Sequence, residues 1–170
     1  MEISVANRQR KIGISSKHVR LVAASVLEGE SARFDEISVA FVGDRAMRRL
    51  NRTFAGRDES TDTLAFELMP DVVPGRLKQR EAAGRNLGEV IVCIDRAMAQ
   101  SRKYRVRFEK EVARLLIHGL LHLCGFDDST SNERAKMRAR ENRYIASLRK
   151  SVAALITSPR EGRVPSTSRR

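Results

Sequence analysis

His118 and His122 stand four residues apart in the apolar segment FEKEVARLLIHGLLHLC, residues 108–124. On an α-helix such a pair projects two imidazoles side by side, at a separation that suits two ligands of one tetrahedral ion. Gly125 follows directly, and a glycine there lets the chain leave a helix in the left-handed conformation and turn back. Asp127 and Asp128 lie five and six residues past His122. Either carboxylate can return to the histidines; our reading takes Asp128 as the third ligand and Asp127 as its alternative. Two histidines and one carboxylate leave the fourth position open, which is the pattern of a catalytic rather than a structural zinc site. An ion so held lowers the pKa of bound water and polarises a phosphoryl or carbonyl oxygen. The competing reading is a pair of core histidines bonded to backbone. The glycine and two aspartates that follow at once favour the metal. The third histidine, His18, reads as a surface residue, with entry to the site from the first helix as its other reading.

The helix that must carry this pair is apolar around most of its circumference from Val112 onward. Its polar exceptions, Glu111, Arg114, His118 and His122, fall on one stripe at 3.6 residues per turn. A polar stripe on a buried helix needs partners, because unpaired buried polar groups are costly. Arg114 reads either as a contact to an anionic substrate or as the partner of Glu111 on the same stripe.

The remaining elements follow from periodicity and capping signals. Met1 to Ala6 alternates as a short strand, and Ser16 opens a helix to about Glu28. Phe34 to Val42 alternates Ile37, Val39 and Phe41 against polar or small neighbours, a strand. Asp44 caps a helix with Met47, Leu50 and Phe54 inward and Arg45, Arg48, Arg49 and Arg52 outward. Thr61 to Glu67 is a strand with Leu64 and Phe66 on one face. Residues 70–86 contain Pro and Gly without a period and read as a surface loop. Gly88 to Ile94 is an apolar strand, and Asp95 caps a helix to about Tyr104. A turn near Arg105 to Arg107 leads into the central helix. Thr130 and Glu133 form a capping box for a last helix running to about Thr157. The expectation is an α+β fold, with a small mixed β-sheet packed with helices around a zincin-like, metal-bearing central helix. Residues 1–157 make a single domain and 158–170 a disordered basic tail.

The chain has 170 residues, enough for one buried core, and a net charge of +12. That charge favours an anionic partner such as RNA over a basic surface kept only for solubility. With six Phe, two Tyr and no Trp, phosphate contact by Arg is a better mode than stacking bases on aromatics. No run of 18 apolar residues exists, so no membrane span is expected. The N-terminal residues lack the apolar core of a secretory signal, which makes the cytoplasm the expected compartment. Cys93 and Cys124 sit in apolar runs and read as small buried hydrophobes.

The segment His118-Gly119-Leu120-Leu121-His122-Leu123-Cys124-Gly125-Phe126-Asp127 strongly resembles the YbeY family, whose pattern is His-Gly-x-Leu-His-Leu-x-Gly-Tyr/Phe-Asp-His. Leu50-Asn51-Arg52-Thr53-Phe54, Asp58 and Thr61-Asp62-Thr63-Leu64-Ala65-Phe66 are similar to a second family segment. Leu87-Gly88-Glu89-Val90-Ile91-Val92 is similar to a family strand, and Glu133 and Met137 match the helix after the metal motif. The resemblance runs over about residues 34 to 145.

It implies a zinc-dependent, single-strand-specific endoribonuclease that matures the 3′ end of small-subunit ribosomal RNA and takes part in ribosome quality control. The implied partners are RNA and the small ribosomal subunit, with its proteins or an assembly GTPase. Two positions depart from the family pattern. The family's third ligand is a histidine where this chain has Asp128, which adds negative charge and admits divalent metals harder than zinc. The family's arginine after the aromatic residue is Ala55 here, so Arg57 or Arg52 is the substitute. The residues assigned to RNA are Arg45, Arg49, Arg52, Arg57 and Arg114, with Arg52 and Arg57 also placed at the chemistry. Two other functions fit parts of the pattern. A zinc metalloprotease would use His-Glu-x-x-His, but Gly119 stands in the place of its Glu. A ribosome assembly factor that binds RNA without cleaving it would tolerate both departures.

Overall fold

The computed structural model describes residues 1–68 and 87–157, so the surface loop expected at 70–86 and the tail expected at 158–170 lie outside the described residues. The alternating segments form strands β1 (Glu2–Asn7), β3 (Glu36–Val42), β4 (Thr63–Leu68) and β5 (Leu87–Cys93). They make one sheet in the order β1-β3-β5-β4. β1, β3 and β5 are parallel, and β4 is an antiparallel edge strand in which Leu64 lies opposite Ile91 and Phe66 opposite Glu89. The helices α1 (Ser16–Gly29) and α2 (Asp44–Ala55) run between these strands, and α3 (Ile94–Tyr104), α4 (Phe108–Leu123), α5 (Ser131–Ser147) and α6 (Arg149–Ala153) follow β5. The fold is α+β with a mixed sheet, as expected.

The period of two divides the sheet into faces. Ile37, Val39, Phe41, Val90 and Val92 point into the larger core, shared with Val22, Val26, Leu115, Leu116, Leu120 and Met137. Ala40, Val42, Ile91 and Cys93 point the other way and pack against Met47 of α2, with Leu50, Leu64 and Phe66 at the margin. Helix α4 touches β4, β5, α1, α3, α5 and α6, which makes it the central helix of the larger core.

The helix ends depart from expectation in instructive ways. Ser15, not Ser16, is the N-cap of α1, and its hydroxyl bonds Nδ1 of His18 at 2.8 Å rather than a backbone N–H. Gly43 is the N-cap of α2, and the N–H of Asp44 donates to Oδ2 of Asp95 at 2.8 Å. Asp95 therefore satisfies a helix other than its own; α3 begins at Ile94 after Cys93. Phe54 is more than half exposed, not inward. The apolar stripe of α2 reaches the edge strand at its end, where Phe54 stacks on Phe66 with ring centroids 4.9 Å apart. The Thr130–Glu133 capping box is present. The helix it opens stops at Ser147, and α6 leads into a two-residue strand, β6 (Ile156–Thr157), paired antiparallel with β2 (Gly13–Ile14).

Candidate metal centre and its surroundings

The C-terminus of α4 is a Schellman motif. Phe126 N–H donates to the Leu121 carbonyl at 3.0 Å and Gly125 N–H to the His122 carbonyl at 2.9 Å, with Gly125 at φ +86°. Only a residue without a Cβ holds that φ cheaply, so Gly125 sets the direction in which the chain returns. The return brings the Phe126 carbonyl 2.9 Å from Nδ1 of His122. It also brings Asp127 and Asp128 over the end of the helix. Asp127 folds onto its own turn, taking the Asp128 N–H and the Ser129 hydroxyl, each at 2.7 Å. The Ser129 hydroxyl, and next the Asp128 N–H, hold its carboxyl below the usual range. Asp128 is left to face the histidines, with its carbonyl pinned by Arg134 Nη1 at 3.0 Å.

Nε2 of His118 and Nε2 of His122 are 3.0 Å apart. The Asp128 carboxylate lies 3.8 Å from the first and 3.9 Å from the second. One ligand atom from each of the three lies within 4.8 Å of the others. A tetrahedral zinc with bonds of about 2.0–2.1 Å separates its ligand atoms by roughly 3.3 Å, close to this spacing. The proton positions sharpen the fit. Nδ1 of His118 lies 2.7 Å from Oε1 of Glu141, a carboxylate, and Nδ1 of His122 faces a carbonyl. Both partners are acceptors, so the hydrogen-bond pattern assigns hydrogen to both Nδ1 atoms and leaves the two Nε2 atoms facing one another. At 3.0 Å the two Nε2 atoms then need a cation between them, either a shared proton or a metal ion. The three residues fit a divalent metal.

Behind His118 the polar stripe is fully engaged. Glu111 and Glu141 are 3% and 4% exposed. Arg114 donates to Oε1 of Glu111 at 2.6 Å and to Oε1 of Gln100 at 3.2 Å, and approaches Oε2 of Glu141 at 3.8 Å. Gln100 in turn donates to Oδ2 of Asp62 at 3.0 Å, just before β4. Burial alone lowers the Arg114 pKa, but the Glu111 hydrogen bond and the neighbouring carboxylates outweigh it and raise the net value. The pairing of Arg114 with Glu111, one of the two readings from sequence, is present. Glu141 escaped the sequence reading, though a signal existed. Met137, Glu141, Tyr144 and Ile145 form the buried stripe of α5, and a glutamate on such a stripe implies a polar partner across the interface.

The other residues singled out from sequence lie apart from this cluster. Arg45, Arg48, Arg49, Arg52 and Arg57 are all exposed, on α2 and the turn after it. Arg48 grips Asp58 through two bonds of 3.0 and 2.9 Å, with Arg52 3.9 Å from the same carboxylate. The Arg48 hydrogen bonds hold the Asp58 carboxyl below its usual range. No contact joins these arginines to His118 or His122 among the described residues. His18 is engaged with Ser15 and is outside the ligand group. Gly119 packs closely against the sheet. A Cβ there would lie 2.6 Å from Cγ1 of Val90 and 2.9 Å from Cγ2 of Thr63. The position that a zinc protease fills with its general base is here pressed against the sheet.

No helix among the described residues is long and apolar enough to cross a membrane. The fold resembles the solution structure of TM1509 from Thermotoga maritima, with a TM-score of 0.58 at 23% identity over 99% of each chain. Curated relatives described as endoribonuclease YbeY are closer in sequence. The protein of Caldanaerobacter subterraneus subsp. tengcongensis is 34% identical, over 87% of this chain and 98% of its own. That of Alkaliphilus metalliredigens is 32% identical, over 83% and 91%. The family model described as endoribonuclease YbeY matches residues 4–149, a span that contains the whole histidine–aspartate cluster and both carboxylates behind it, and the chain belongs to that family.

Proposed function

We propose that this protein is a metal-dependent endoribonuclease that cleaves single-stranded RNA during maturation of small-subunit ribosomal RNA and in ribosome quality control. It would work in the cytoplasm, on the small subunit and alongside its proteins or an assembly GTPase. The observation that carries the reading is the convergence of three lone-pair donors, from His118, His122 and Asp128, within 4.8 Å of one another. These residues would hold one zinc or another divalent ion. When bound, such an ion supplies a Lewis acid for a phosphoryl oxygen and acidifies a bound water.

The rest of the chemistry belongs to the chain. Arg45 and Arg49 present exposed guanidinium groups on the outer face of α2, suited to the phosphates of a strand lying along it. Arg52 and Arg57, toward the end of that helix and in the turn beyond it, are assigned to charge that develops on the phosphoryl oxygens. They take the place of the side chain missing at Ala55. Arg114 serves the buried carboxylates more directly than any strand. Gly119 argues against peptide hydrolysis, because its position cannot carry a glutamate toward a substrate.

The test compares wild-type protein with His118→Ala on fragments of small-subunit ribosomal RNA, with metal content measured by elemental analysis. Wild type should carry about one metal per chain and cleave; the variant should do neither. Equal cleavage by the two would sink the proposal. RNA binding without cleavage by the metal-loaded wild type would leave a non-catalytic assembly factor instead.

A further inference from the structure

We propose that Glu141 is a positioning residue for His118, and that Arg114 keeps it in place. The inference rests on the reading of His118 as a metal ligand and goes beyond it in assigning the buried groups behind the ligand. Imidazole binds a metal through only one nitrogen, so the other must hold the hydrogen and aim the ring. His122 obtains this from the backbone carbonyl of Phe126. His118 has no carbonyl in that role among the described residues and obtains it from a side chain on another helix, Oε1 of Glu141 at 2.7 Å. Carboxylate partners of this kind fix the ring and raise its basicity.

A carboxylate 4% exposed does not remain there unaided. Glu141 shares Arg114 with a second buried carboxylate, Glu111. One guanidinium therefore faces two carboxylates, leaving an excess negative charge behind His118. Asp128 adds another on the open side. A dication at the ligand atoms balances both. The pair Glu141–Arg114 thus orients the ring and draws the cation toward it.

The experiment reads hydrogen positions on the histidines of ¹⁵N-labelled, metal-free protein by long-range ¹H–¹⁵N correlation, and zinc affinity by competition with a fluorescent chelator. In wild type both His118 and His122 should carry hydrogen on Nδ1. In Glu141→Met, His118 should lose that preference while His122 keeps it, and zinc affinity should fall by about 10–100-fold. Glu141→Gln, which retains an acceptor oxygen without the charge, should restore the His118 hydrogen position and part of the affinity. A wild-type His118 without hydrogen on Nδ1 overturns the proposal, and this measurement stands even if the Met variant does not fold. So does a folded Glu141→Met that binds zinc within twofold of wild type. If wild type binds no zinc while His118 still carries hydrogen on Nδ1, the orientation by Glu141 holds and the metal reading of the site is what fails.

Discussion

Replacing Gly119 by Ala sets two effects of opposite sign against each other. Glycine in the middle of a helix costs about 0.8–1.0 kcal/mol relative to alanine, so propensity alone favours the variant. The structure opposes it. The new methyl would lie 2.6 Å from Val90 Cγ1, about 0.8 Å inside the 3.4 Å at which ordinary contact begins, and 2.9 Å from Thr63 Cγ2. Neither neighbour yields easily. Val90 is fully buried in the sheet, and both residues are β-branched with restricted χ1. Relief requires α4 to lift from β4 and β5, and overpacking of this kind costs roughly 1–3 kcal/mol. With two contacts below 3.0 Å the upper half of that range applies, so the net expectation is a loss of about 1–2 kcal/mol. The same movement shifts His118 and His122 relative to Asp128, which is held by a separate turn, so zinc affinity should fall as well. Urea unfolding of the metal-free variant and wild type measures the first effect, and chelator competition the second. A variant stabilised by the full propensity gain, with unchanged affinity, would refute the argument that this glycine exists to let the helix approach the sheet.

Four further outcomes follow from the geometry. Arg114→Met leaves Glu111 and Glu141 buried without their cation and should destabilise the protein by about 3 kcal/mol, at the low end for a broken buried pair because Arg114 is partly exposed; a change below about 1 kcal/mol in urea unfolding would contradict that. Arg105 ends α3 at φ +53°, which glycine tolerates better, so Arg105→Gly should gain about 0.5–1 kcal/mol despite the added freedom of the unfolded chain. Burial, then the hydrogen bond to Glu30, pushes the Tyr144 hydroxyl up to about 12 from 10.0. The folded state then holds the proton more tightly than the unfolded chain, so this contribution is present below pH 10.0 and is lost as pH rises toward about 12; Tyr144→Phe should flatten the fall in stability measured across that window. Asp128→Ala should lower metal content on elemental analysis, whereas equal content would assign the third ligand elsewhere.

The sequence was most legible where a local rule acts alone. The apolar helix with one polar stripe, the Gly125 exit and the Thr130–Glu133 box each depend on residues within a few positions, and each stands as read. The sheet faces were legible for the same reason, since Ile37, Val39 and Phe41 must share a side. What escaped depends on residues far apart in the chain. Asp95 carries a good capping side chain, yet its partner is Asp44 on another helix, across a separation that no local pattern records. Phe54 obeys the helical period but lies where the stripe meets the edge strand, so its place at the margin of the sheet overrode periodicity. Glu141 was visible as a misfit on an apolar stripe, but naming His118 as its partner required knowing how α5 lies on α4.

The small β2–β6 pair has a consequence for how the chain is made. Ile14 bonds in register with Ile156, and the Ser15 N–H donates to the Leu155 carbonyl at 2.8 Å. The partners of this pair are therefore translated near opposite ends of the described chain. All four strands of the main sheet have left the synthetic machinery once Cys93 has emerged, so pairing there can begin early. The turn that starts α1 must wait for Ile156, a delay of roughly 7–30 s at translation rates of about 5–20 residues per second. Until then Ile14 and the start of α1 lack their closing strand, and a chain truncated before Ile156 would retain the metal-binding motif while losing the clasp that joins its first helix to its last.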